Sequence, residues 1–202
     1  CLTVEEALRL AFEKIEQNLV IASWKDAIIN SSLGPNLNDY IQVPKYACFN
    51  KSVEFPYTNR KKAIQSLWKI GGKNGWYSMD WVWKMRGILD RLSGGIGLRR
   101  GRTHPTRLRN GDVLDFFRVI LADESKGRLI LYSEMRLPGE AWLEYKIVGD
   151  ADKGLVKQSA TFRPKGLLGR LYWYMLIPIH HLIFKRLCKA IATGVKMEEQ
   201  NT

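Results

Sequence analysis

Between Asp112 and Ala192 the chain reads as four alternating strands followed by one long, apolar, aromatic-rich helix. That order constrains the fold more than any other feature, because a curved antiparallel sheet buries its inner face by wrapping around such a helix. The segments 112–123, 127–137, 140–148 and 154–163 are separated by short turn sequences at Ser125-Lys126, Pro138-Gly139 and residues 149–153. Sequential hairpins are the simplest way to pair them. The closing helix, 167–192, runs through Leu171-Tyr-Trp-Tyr-Met-Leu-Ile-Pro-Ile-His-His-Leu-Ile-Phe184 and is apolar almost all round at its start, which predicts burial on several sides. With about 14 such residues before Lys185-Arg186 it falls short of the roughly 20 that a membrane span takes. Pro178 predicts a kink that lets the helix follow a curved sheet. The product is a cup with a lid, a shape for holding a small apolar molecule.

Upstream, Thr3-Val4-Glu5-Glu6 is a capping box that opens an amphipathic helix over 4–17. Residues 30–50 read as a connector, 49–57 as a short strand, and 60–70 and 78–92 as helices. Trp81, Met85, Ile88 and Leu92 fall on one face of the second helix. Residues 97–111 are arginine-rich and irregular. The formal charge of +12 is uneven: residues 1–50 carry four Lys/Arg against six Asp/Glu, and residues 51–202 carry 28 against 14. A sign change near residue 50 predicts two separately evolved pieces. Cys1, Cys48 and Cys188 lie far apart, with neither a disulfide framework nor a metal spacing, which fits a reducing cytoplasm. The opening at Cys1, inside a helix signal, predicts a piece of a longer protein.

Tight hairpins allow the register to be written out, because side chains alternate strictly. One face then collects Leu114, Phe116, Ile120, Leu129, Leu131, Met135, Leu137, Trp142, Val156, Ala160 and Phe162. A single polar row, Arg118, Ser133, Glu144 and Gln158, crosses it, with Arg118 as the expected partner of Glu144. The wetter face carries Asp115 opposite Arg136, with Glu134, Lys157 and Ser159. An apolar face crossed by one polar row is what an orienting pocket needs. The expected ligand contacts are therefore Arg118, Ser133, Met135, Trp142, Glu144, Gln158 and Tyr172. Arg99, Arg100 and Arg102 are candidates for holding an anion at the mouth. Trp76, Tyr77, Trp81 and Trp83 read as core aromatics before they read as stacking groups.

No catalytic motif emerges. His180 and His181 are adjacent on a helix, so they point about 100° apart, and no nucleophile or carboxylate accompanies them at motif spacing. Gly95-Ile-Gly-Leu-Arg-Arg-Gly101 follows a helix and precedes a loop, the wrong context for a dinucleotide site. No phosphate-binding Gly-Lys-Ser/Thr loop is present.

Seven segments together resemble one group of proteins: Gly75-Trp76-Tyr77, Trp81-Val-Trp83, Arg86-Gly87-Ile-Leu-Asp90, Gly94-Gly-Ile-Gly-Leu-Arg-Arg-Gly101, Asp115-Phe-Phe-Arg-Val119, Leu137-Pro-Gly-Glu-Ala-Trp-Leu-Glu144 and Gly166-Leu-Leu-Gly-Arg-Leu-Tyr-Trp-Tyr174. The group is an uncharacterised bacterial domain of the START-like (SRPBCC, helix-grip) superfamily. It is found at the C-terminus of epimerase-like, atypical short-chain dehydrogenase proteins. The resemblance covers about residues 50–192 and implies an α+β helix-grip fold with a hydrophobic-ligand cavity between sheet and last helix. Residues 1–48 resemble the trailing segment of the Rossmann-like half plus a connector, which leaves 49–194 as the helix-grip domain and 195–202 as a tail. Any NAD(P) would belong to the missing upstream half, and no cofactor is expected in this chain. The leading expectation is a binding domain for a small hydrophobic or amphipathic molecule, accessory to that half. Two alternatives stand beside it. One, implied by the superfamily, is a polyketide cyclase or dehydratase with Glu144 and Arg118 as acid and base. The other is docking on an anionic membrane or nucleic acid, the latter least favoured.

Overall fold

The computed structural model describes residues 42–92, 94–95, 97, 102, 104 and 107–194. The helix expected over 4–17, the rest of 1–41, Arg99, Arg100 and the tail 195–202 lie outside the described residues. The elements run β1 (Phe49–Tyr57), α1 (Arg60–Trp68), a single 3₁₀ turn (Gly72–Asn74), α2 (Asp80–Leu92), β2 (Val113–Leu114), β3 (Phe117–Asp123), β4 (Arg128–Ser133), β5 (Gly139–Gly149), β6 (Gly154–Pro164) and α3 (Gly166–Thr193). All strand pairs are antiparallel, in the order β1-β6-β5-β4-β3-β2. This is the expected helix-grip architecture, a sheet with a long C-terminal helix across it.

Local chemistry sets the element ends. Asn59 accepts a hydrogen bond from the Lys62 backbone N–H at 2.9 Å and starts α1. Asp80, the first residue of α2, accepts from the Trp76 N–H at 2.8 Å and so fixes the turn leading into that helix. Gly194, with φ +71°, ends α3 in the left-handed conformation that favours glycine. The single strand expected over 112–123 is broken at Asp115, where φ is +54° and the chain turns sharply between β2 and β3. Asp115 is buried rather than on a wet face. Its carboxylate accepts from the Trp76 indole N–H at 2.9 Å and the Gly72 N–H at 3.3 Å. Burial raises its pKa, and the two hydrogen bonds oppose that rise.

The core lies between the sheet's inner face and α1, α2 and α3. Leu129, Leu131, Leu143, Tyr145, Val156 and Phe162 point into it. The C-terminal half of α3 packs there through Ile183, Phe184, Leu187 and Ile191. Its N-terminal half is anchored by Trp173, which stacks on Phe162 and Phe49 with centroids 5.7 Å away in each case. Gly169 is required at that contact, because a Cβ there would meet the Pro138 carbonyl oxygen at 2.3 Å.

α2 is turned the opposite way from its apolar stripe. Trp81, Met85, Ile88 and Leu92 are all exposed, while Val82, Trp83, Gly87 and Asp90 face inward. Trp83 joins Trp76, Phe116 and Phe117 in an aromatic cluster in which Trp76 and Trp83 stack at 4.7 Å.

Candidate functional site

A cavity of about 310 Å³ lies between α2, the N-terminal half of α3 and the inner face of the sheet at β4, β5 and β6. Its walls are mainly apolar: Trp83, Phe117, Leu143, Phe162, Trp173 and Ile183 are among them. Met85, Leu89, Met175 and Ile179 both line it and are exposed, so its mouth opens between α2 and α3.

The polar groups in this space are few, and most come from the helices. Arg86 reaches in from α2 and donates through Nε to Met135 Sδ at 3.3 Å and through Nη2 to the Tyr172 hydroxyl at 3.0 Å. Its Nη1 lies 3.4 Å from His180 Nε2. Arginine only donates, so Nε2 is the acceptor and the ring proton sits on Nδ1. Burial, then the Arg86 charge, lowers the His180 pKa to about 4, so the ring is neutral at pH 7. Burial is also the main cause of the raised Tyr172 pKa, and Arg86 opposes it.

Asp90, one turn after Arg86, is buried at 4% exposure and has both oxygens engaged. Oδ1 accepts from the Arg136 backbone N–H and Oδ2 from the Gly97 N–H, each at 2.8 Å. It therefore ties the loop after α2 to the β4–β5 connection. A Cβ on Gly95 would come 2.2 Å from Asp90 Oδ1, which accounts for one glycine of the Gly94-Gly95 pair. Among the described residues no cluster of His, Cys, Asp and Glu could hold a metal ion.

Of the residues expected from sequence, Ser133, Met135 and Tyr172 line this cavity. Trp142 borders it, but its ring is on the outer face, 5.5 Å from Tyr132 and 5.6 Å from the Arg163 guanidinium carbon. Glu144 is also on the outer face, held by Arg128 Nη2 at 2.8 Å and Lys146 Nζ at 3.2 Å. It lies in a separate polar groove with Gln42, Asn50 and Ser159. Arg118 pairs with Glu134 at 3.0 Å, not with Glu144. Gln158 faces inward and is fully buried, yet it lies outside the cavity. Arg102 donates to the backbone carbonyls of Trp68, Ile70, His104 and Arg107, so its guanidinium staples the end of α1 to the arginine-rich loop.

The polar row is thus split, and turn lengths are the cause. A two-residue turn at Pro138-Gly139 would set Ser133 opposite Glu144. The actual connection runs five residues, Glu134 to Pro138, and sets Tyr132 opposite Trp142. That shift is odd, so it turns Glu144 over to the other face. The β5–β6 loop shifts the next pairing oddly as well, placing Tyr145 opposite Gln158. In β3 the pairing offset changes between Val119 and Leu121, with Arg118 outward and Phe117 inward.

Residues 49–187 match the family model described as Protein of unknown function (DUF2867). The chain belongs to this family. No curated protein matches it. Solved structures similar to it include truncated norcoclaurine synthase from Thalictrum flavum, at 9% identity and TM-score 0.44, covering 74% of this chain and 97% of that one. A solution structure from Thermobifida fusca is 16% identical, with TM-score 0.39 and coverages of 72% and 93%. Ara h 8.0201 is 13% identical, with TM-score 0.37 and coverages of 71% and 97%.

Sequence reasoning missed Arg86, Asp90 and His180 as cavity residues of this DUF2867 chain. A signal was present. Arg86, Gly87 and Asp90 share a helix face with Trp83, and a charged pair around a glycine marks an inward polar face as well as an outward one.

Proposed function

We propose that residues 49–194 bind a small hydrophobic or amphipathic molecule in the cavity between the sheet and α3. The observation that carries this reading is a chamber of about 310 Å³, apolar over most of its wall, on which a few polar side chains converge. Ligand sites have this make-up, with volumes of roughly 300–1,000 Å³. The acid/base alternative built on Glu144 and Arg118 is disfavoured, because those two groups lie on the outer face in separate ion pairs. We also read the domain as cytoplasmic and accessory to an upstream epimerase- or dehydrogenase-like half that would hold any NAD(P). The cytoplasmic reading rests on cysteine usage, and the accessory role on the family resemblance.

The test fills the chamber. Ala160 lines it at 8% exposure, so Ala160→Leu pushes a larger side chain into the space. Binding of the neutral dye Nile red should be about tenfold weaker in the variant, the equivalent of one lost apolar contact surface of ~1.4 kcal/mol. Equal binding by both proteins, or none by either, would contradict the proposal.

A further inference from the structure

The polar groups of the cavity are strongly unbalanced. Arg86 brings a full positive charge, and its three hydrogen-bonding neighbours are a thioether, a phenol and a neutral imidazole. Among the described residues no carboxylate lies within 4.0 Å of it. Asp90, the acid nearest along the helix, spends both oxygens on backbone N–H groups. Three further buried polar atoms around the same space have no hydrogen-bond partner: Trp83 Nε1, Ser133 Oγ and His180 Nδ1. The first is a donor only, the third carries the ring proton, and the hydroxyl can donate. The Tyr172 oxygen accepts from Arg86, which leaves its own proton free to be given. The chamber therefore offers a cation and mainly free donors, with the Ser133 hydroxyl also able to accept. A half-buried cation with no carboxylate beside it is partly desolvated, and each orphaned buried donor is costly.

The missing component is one negative charge with acceptor lone pairs, presented by a molecule whose remainder is apolar. A guanidinium fork matches a carboxylate in shape and charge. Arg86 and Arg136 against Asp90 give the lining a net of one positive charge, so a doubly charged phosphate ester would leave excess negative charge there. We propose that the ligand is an amphipathic carboxylic acid, its carboxylate received by Arg86 and Tyr172 and its hydrocarbon part lying along the apolar wall. This specifies the chemistry of the site argued above and rests on that reading. Arg86 then acts as the specificity-determining residue, distinguishing an acid from an alcohol or ester of equal length.

The experiment displaces Nile red from the full chain with decanoate and, separately, with 1-decanol at pH 7.5. Decanoate should bind about tenfold or more tightly than decanol, the scale of one charge-assisted hydrogen-bonded contact. Arg86→Met should abolish that preference, so that decanoate binds no more tightly than decanol. Tyr172→Phe keeps the cation and should weaken decanoate only several-fold, which keeps the idea testable if Arg86→Met does not fold. Equal affinity of the native chain for decanoate and decanol would overturn the inference and leave a neutral ligand site standing. Failure of the dye and both competitors to bind would remove the ligand-site reading and this inference with it.

Discussion

Replacing Gln158 with methionine should make the protein more stable. The side chain is at 0% exposure, and neither its amide oxygen nor its amide nitrogen has a hydrogen-bond partner. It points into the core from β6, opposite Tyr145 on β5 and Val53 on β1. Leaving a buried polar group unsatisfied costs about 1–3 kcal/mol. Methionine has the same unbranched reach and adapts to irregular packing, so little strain offsets the gain. The expected stabilisation is thus on the order of 1–3 kcal/mol, with roughly 2–4 °C of melting temperature per kcal/mol for a chain of this size. Urea unfolding should show a higher midpoint at an unchanged slope, the mark of a true stability change. Gln158 lies outside the cavity wall, so Nile red affinity should be unaltered. A destabilised variant would refute the reasoning, since it would show that the amide is hydrogen-bonded in solution. A loss of dye binding would show that the chamber extends along β6 as far as Gln158.

Two further outcomes follow from the buried ionisable groups. The His180 pKa falls from 6.5 unfolded to about 4 folded, so the unfolded chain binds more protons between those values. Stability is therefore intact above pH 6.5 and lost as pH falls toward 4, by roughly 3 kcal/mol in all at about 1.4 kcal/mol per pKa unit. His180→Phe, which keeps the stack on Phe184, should flatten that part of a stability–pH curve, and an unchanged slope would assign it to other groups. Cys188 is at 1% exposure, its thiol donates to the Val156 carbonyl at 3.1 Å, and burial pushes its pKa up to about 12. Iodoacetamide at pH 8 should leave the Cys188 peptide unmodified in the native protein and label it in urea, as read by peptide mass spectrometry. Rapid native labelling would contradict the packing of α3 on β6.

The sheet's position along the chain was legible because alternation and turn residues are local signals. Residues 140–148 and 154–163 were expected, and Gly139–Gly149 and Gly154–Pro164 are found. Which side each strand presents was not legible, because that depends on turn length in units of one residue. One miscount between Ser133 and Gly139 moved Glu144 and Trp142 to the outside and brought Leu143 and Tyr145 in. For α2 the obstacle was different. Trp81, Met85, Ile88 and Leu92 form the stripe a buried helix normally shows, yet the exposed ones are these. Only the face that Arg86, Gly87 and Asp90 share with Trp83 pointed the other way. Ser133, Met135 and Tyr172 could be placed near the chamber because β4 keeps its alternation and α3 crosses the sheet where its aromatic run begins.

That inverted helix has a thermodynamic consequence. With Trp81, Met85, Ile88 and Leu92 in water, α2 gains dehydration chiefly through Val82 and Trp83. It is attached by Val82, the Trp83 ring stack and the polar side chains of Arg86 and Asp90. Detaching it would expose less apolar surface than detaching the C-terminal half of α3, which is sealed by Ile183, Phe184, Leu187 and Ile191. The segment flanking the entrance can therefore be released at lower cost than the C-terminal half of α3, while the meander beneath stays assembled.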